Sequence, residues 1–215
     1  MRGIFNYDGW LMQGLSKIAD AIALGVLWVV FSLPIITMGA STTALYYTVY
    51  KVFRKDNGTV WASFWYAFKS NFKQATILFV IMAIAGGFVF FSLYYGYAMY
   101  LAGAIAGLFM ILLGLVDVII LSWMSYLLPY ASRFNASTGE ILKNCAAIAF
   151  MNLGKSILLV AILLVACFLA LNIPIMLVLM PTMCTWVTSC LLERIFRKYM
   201  TPEALAAEDA NEETI

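Results

Sequence analysis

The sequence contains no histidine. That removes imidazole zinc sites, Ser-His-Asp triads and Cys-His dyads from consideration. Charge is scarce too. Only 11% of the 215 residues are charged, against about a quarter in a soluble domain. No two of the cysteines, Cys145, Cys167, Cys184 and Cys190, form a CxxC pair. Three of them lie in apolar stretches, where cysteine behaves as a small hydrophobe. These shortages exclude a soluble globular enzyme, a disordered chain and a secreted disulfide scaffold. Hydrophobic residues make up 64% of the chain, and the mean hydropathy is +0.93. The expected class is all-α: a polytopic transmembrane helical bundle.

The uncharged gaps set the plan. Residues 21–50 and 156–192 carry no charge, and residues 74–132 carry only Asp117. A membrane-spanning helix needs about 20 residues, so each gap suits a helical hairpin better than one crossing. The first gap divides at Ser32-Leu33-Pro34 and Gly39. The second divides after the tyrosines at 94, 95, 97 and 100, and the third at Asn172-Ile173-Pro174. Six spans follow, as three hairpins: about 18–33, 38–53, 75–99, 104–128, 156–171 and 175–193. The first gap is short for two crossings, so five spans plus a re-entrant segment is the alternative. Pro181 falls inside the last span and frees a carbonyl there, for which Thr182 or Thr185 is the expected partner.

The basic residues cluster between these hairpins: Lys51, Arg54, Lys55, Lys69 and Lys73, then Arg133, Lys143 and Lys155, then Arg194, Arg197 and Lys198. The turns inside the hairpins carry none. The positive-inside rule puts the charged loops and both termini in the cytoplasm. Residues 201–215 hold five acids and no base, while residues 1–200 carry a net +7. The expectation is one domain over 1–200, followed by a disordered acidic cytoplasmic tail over 201–215. The excess base suits lipid headgroups rather than nucleic acid. Three segments read as interfacial cytoplasmic helices. Residues 60–73 align Phe64, Phe68 and Phe72 with Trp61 and Trp65 alongside. Residues 138–152 follow a Ser137/Glu140 capping box. Residues 5–17 are the third.

Asp117 is the candidate with an energetic argument. A carboxylate at the bilayer centre costs about 2.5–3.5 kcal/mol, so it must face the bundle interior or a wet cavity. On a helical wheel it shares a face with Gly103, Gly107 and Gly114, which allow close helix packing. Ser122, Ser125, Asn172 and Thr185 are its candidate partners. Gly154-Lys155-Ser156 imitates the end of a phosphate-binding loop, but position 149, where the first glycine belongs, is Ala149. No cofactor and no metal site is expected, and neither is an enzyme.

Two stretches carry a family resemblance: Phe31-Ser32-Leu33-Pro34-Ile35-Ile36-Thr37-Met38-Gly39-Ala40-Ser41-Thr42-Thr43-Ala44-Leu45-Tyr46-Tyr47, and Phe64-Trp65-Tyr66-Ala67-Phe68-Lys69-Ser70-Asn71-Phe72-Lys73-Gln74-Ala75, with a weaker third at Leu128-Pro129-Tyr130, Leu142-Lys143-Asn144 and Asn152-Leu153. The chain resembles the YesL-like bacterial integral membrane proteins, whose shared domain is the domain of unknown function 624. The resemblance implies a multi-pass protein of a bacterial cell membrane. It implies association with carbohydrate uptake, with an ABC sugar permease or a second copy of the chain as partner beside the lipids. It supplies no catalytic or ligand residue. Its patterned positions here include Pro34, Thr37, Gly39, Ser41, Thr42, Asn71 and Lys73. Read from the residues alone, Pro34 stops one helix. Gly39 permits a backbone shape that other residues resist. Ser41 or Thr42 caps the next helix. That makes either an ordinary tight turn or a broken-helix site of the transporter kind. A small transporter or channel using Asp117 and the break at 34–41 is the competing reading.

Overall fold

The computed structural model describes residues 10–100, 104–173, 176–200 and Leu205. Gly103, Pro174, the rest of the acidic tail and the first residues of the 5–17 segment lie outside the described residues. All regular structure among the described residues is helical.

Helix α1 runs from Trp10 to Ser32. It stops because Pro34 has no amide to donate and restricts the residue before it. A single 3-10 turn, Ile35–Thr37, leads into α2, Met38–Thr48. The helix then widens into a π-helical stretch, Val49–Arg54. The chain reverses through Asp56 and Gly58, whose φ values of 46° and 85° are left-handed. Lys17 pairs with Asp56 at 2.9 Å, so the start of α1 and the end of the α2 segment come together.

Helix α3 spans Val60–Tyr100, 41 residues without interruption. At 1.5 Å per residue it is about 62 Å long, twice the thickness of a bilayer core. Two separate helices were expected here, an interfacial 60–73 and a span from 75. They are one helix because no proline or glycine falls between Gly58 and Gly86 to end the first. Helices α4 (Ala104–Arg133), α5 (Thr138–Met151), α6 (Leu153–Asn172) and α7 (Met176–Tyr199) complete the chain. The capping box at α5 forms as expected: Glu140 N donates to Ser137 Oγ and Ser137 N donates to Glu140 Oε2. Among the described residues, five helices are long and apolar enough to cross a membrane: α1, α3, α4, α6 and α7. The expected span at 38–53 is helical, but α2 and its π-helical extension are not among them.

The side chains bury into two clusters. One joins Leu24, Ala44, Leu45, Val49, Phe64 and Phe68 of α1, α2 and the first half of α3. Phe31 inserts its ring among Phe64, Trp65 and Phe68 at 5.3–5.8 Å. The other cluster joins Leu78 of α3 to Tyr126, Ile141, Cys145, Leu159, Ile195 and Phe196 of α4–α7. Lipid is as apolar as leucine, so close contact at small residues does much of the joining. Gly39 is one such point: an added Cβ would lie 2.5 Å from the Ala75 carbonyl oxygen and 2.6 Å from Phe79 Cβ. Gly25 is the other, where a Cβ would lie 1.9 Å from the Val178 carbonyl oxygen. Val178 stands three residues before Pro181, which breaks the hydrogen-bond ladder of α7. Thr182 does not repair that break. Its hydroxyl donates instead to the Ala21 carbonyl and ties α7 to α1.

Candidate functional site

Asp117 is buried and faces α3, as the argument from bilayer cost required. Its partner is none of the four expected. Ser92 of α3 donates to Asp117 Oδ2 at 2.8 Å, while Oδ1 is buried without a partner. Ser92 was missed because it sits in the neighbouring helix, at a register that only packing fixes. Gly114 does not join this seam, since a Cβ there would meet nothing within 4 Å. Gly107 lies in α4, and the surroundings of Gly103 and Gly107 fall outside the described residues.

The segment 34–42 is built as a closed turn. Thr37 Oγ1 lies 2.7 Å from the carbonyls of both Phe31 and Pro34, so its hydroxyl covers the end of α1. Ser41 Oγ donates to the Trp28 carbonyl at 3.2 Å. Trp28 Nε1 donates to Thr42 Oγ1, which itself donates to the Met38 carbonyl. Neither Ser41 nor Thr42 caps α2, because the helix begins at Met38, a turn earlier. Gly39 serves close helix approach, not an unusual backbone angle. Thr37 thus covers the Phe31 carbonyl in the last turn of α1, and Ser41 adds a bond to the Trp28 carbonyl one turn earlier. Asn71 and Lys73 lie elsewhere, on α3. Asn71 donates to the Ala67 carbonyl within its own helix, and Lys73 is exposed. The patterned residues therefore do not converge on one site.

A different cluster does converge. Glu193 of α7 is 3% exposed, and its carboxylate accepts three hydrogen bonds. Tyr46 donates its hydroxyl to Oε1 at 3.0 Å. Arg133 of α4 donates Nε to Oε1 at 2.9 Å and a terminal nitrogen to Oε2 at 3.1 Å, the bidentate geometry suited to a desolvated pair. The Arg133 guanidinium also lies 3.7 Å from the centre of the Tyr50 ring, a cation–π contact. Arg54 donates to the Ser189 carbonyl at 2.7 Å. Tyr46, Tyr50 and Arg54 recur every four residues along α2 and its π-helical end, so one stripe of α2 meets α4 and α7 together. Rare π-helical turns gather at functional sites. The cluster joins the two packing units with fixed charge. Among the described residues no three metal-ligating side chains gather. The sequence carried a faint signal for it: Glu193 is the only acid between Glu140 and Glu203.

The family model described as "Protein of unknown function, DUF624" matches residues 22–93. The match covers about a third of the chain. The matched residues hold the second half of α1, all of α2 and the greater part of α3, including the first two stretches of the resemblance but not the third. Tyr46, Tyr50, Arg54 and Ser92 fall among them, whereas Asp117, Arg133 and Glu193 lie beyond them. No curated protein and no solved structure matches the chain.

Proposed function

We propose that this DUF624 protein is a non-enzymatic membrane accessory of a bacterial carbohydrate uptake system, holding an ABC-type permease by helix-to-helix contact. The observation that supports this reading is the character of its membrane-level grooves. The groove between α6 and α7, about 410 Å³, is lined by Ala161, Ile162, Val165, Met180, Met183 and Val187. That between α4 and α5, about 200 Å³, is lined mainly by Ile119, Ile120, Trp123, Ala149 and Phe150. Such surfaces receive apolar side chains or acyl chains, not a hydrated sugar. Pull-down from native membranes of sugar-grown cells, read by mass spectrometry, tests it. Permease subunits should be enriched, and recovery of the protein alone overturns the reading.

The same proposal includes a topology in which the α1–α2 hairpin enters and leaves on the cytoplasmic side. The Lys17–Asp56 pair supports a return to the side of origin. The tip also supports it, because Gly39 meets α3 at Ala75 and Phe79. Beyond Phe79, α3 continues for 21 residues, about 32 Å. With α3, α4, α6 and α7 crossing, all basic loops and both termini remain on one side.

One observation favours transport instead: the partnerless Oδ1 of Asp117. A proton- or ion-coupled role requires Asp117→Asn to leave folding intact and abolish flux in proteoliposomes, because an amide does not titrate. A structural role requires no flux in either form. It also gives a loss of about 0.6–1.7 kcal/mol for Asp117→Leu, the range for one interhelical polar contact.

A further inference from the structure

At the charged end of the molecule, α5 and the end of α7 enclose a groove of about 400 Å³. Tyr130, Phe134 and Phe196 form one wall, their ring centres 4.5–5.7 Å apart. Ala147, Ile148 and Met151 of α5 form another. Two tyrosine hydroxyls mark the polar parts. Asn144 Nδ2 donates to Tyr130 Oη at 3.1 Å, and Asn152 Nδ2 donates to Tyr199 Oη at 2.9 Å. Each hydroxyl accepts an amide and keeps its own hydrogen to donate.

Two observations identify the occupant. The first is continuity with the membrane face. Met151 lines the groove and is exposed, and it lies beside exposed Phe150 and Leu153 where α5 passes into the apolar α6. The second is charge. Among the described residues, no acid lines the groove. The exposed cations Lys143, Lys155 and Lys198 lie on the helices that build it or follow it, and Lys198 Nζ stands 5.9 Å from the Tyr199 ring. Glu140, one turn before Asn144, is turned to the Ser137 amide at the helix start. Basic residues at a membrane surface select anionic headgroups.

The geometry points to a bound anionic phospholipid: an acyl chain lies among the aromatic and methionine side chains, and its phosphate meets the tyrosine hydroxyls and lysines. The site is independent of the accessory reading, because it requires only that α5 and α6 meet the bilayer.

Native mass spectrometry of the full chain, released from nanodiscs of mixed phosphatidylglycerol and phosphatidylcholine, reads the retained lipid. The wild type should keep one phosphatidylglycerol. Ala147→Trp fills the groove from an exposed position and should lower that occupancy about tenfold. Changing Lys143, Lys155 and Lys198 together to Gln should keep a lipid but lose the preference for the anionic one. Equal occupancy in wild type and Ala147→Trp overturns the proposal. A small aliphatic diazirine amino acid at position 147 leaves the groove open and, irradiated in native membranes, decides the matter even if the Trp variant misfolds. A phospholipid adduct is the expected product. Crosslinking instead to residues 201–215 of the same chain, or to another protein, overturns it.

Discussion

Glu193 and Arg133 are both largely removed from solvent, with side chains 4% and 14% exposed. Breaking a buried pair costs more than the pair is worth, because one charge stays behind. Arg133→Met leaves the Glu193 carboxylate buried without its guanidinium partner, and should cost about 3–5 kcal/mol in detergent unfolding. Adding Glu193→Leu should recover most of that loss. A double variant as unstable as the single would show that the cluster does more than balance charge. Gly39 offers a steric test. Gly39→Val must push α2 off the Ala75 carbonyl, which backbone cannot yield cheaply, so a loss of about 1–3 kcal/mol is expected. Gly114→Ala faces open space and should be neutral or slightly stabilising. A neutral Gly39→Val would mean that α2 and α3 do not touch as described.

The start of helix α5 should depend on pH. Hydrogen bonds from the backbone and side chain of Ser137 hold the Glu140 carboxyl below its ordinary value. A carboxyl whose folded value is lowered contributes above its unfolded value, and that contribution fades as pH falls through the folded one. Amides in the first turn of α5 should therefore exchange faster below about pH 4 than at pH 6, after correction for intrinsic rates. Glu140→Gln can keep a hydrogen bond to the Ser137 amide but removes the titration, so its protection should not vary over that range. Pro181 acts at the same scale. It removes the amide that would reach the Leu177 carbonyl, one residue from the Val178 carbonyl that Gly25 of α1 approaches.

For the molecule as a whole, the re-entrant hairpin and the six-span bundle differ at one accessible place, the tip at Leu33–Ile36. Its apolar side chains are 68–75% exposed. In a background with all four native cysteines replaced, single cysteines at Gly58 and Gly139 should be shielded from an impermeant thiol reagent in intact cells. A cysteine at Ile36 should be shielded as well if the hairpin turns back within the membrane. Labelling at Ile36 with protection at Gly58 restores six crossings. Labelling at Gly58 removes the shared assumption that basic loops stay inside.

Composition and charge spacing alone determined that the protein is helical, with helices apolar enough to cross a membrane, and that the helices break near Pro34, after Tyr100 and after Asn172. Those properties follow from transfer energies of single residues and from backbone groups that must be satisfied within lipid. The Ser137/Glu140 cap and the inward-facing Asp117 were legible for the same local reason. Register between helices was not legible, so Ser92 went unseen opposite Asp117, and Gly114 was assigned to a seam it does not join. The unbroken α3 also escaped, because an aromatic and basic surface pattern does not end a helix unless a breaker stands in it. Only tertiary packing brought Tyr46, Arg133 and Glu193 together, from positions 87 and 60 residues apart in succession. Their attraction depends on distance in a desolvated space, and nothing in a linear order encodes that distance.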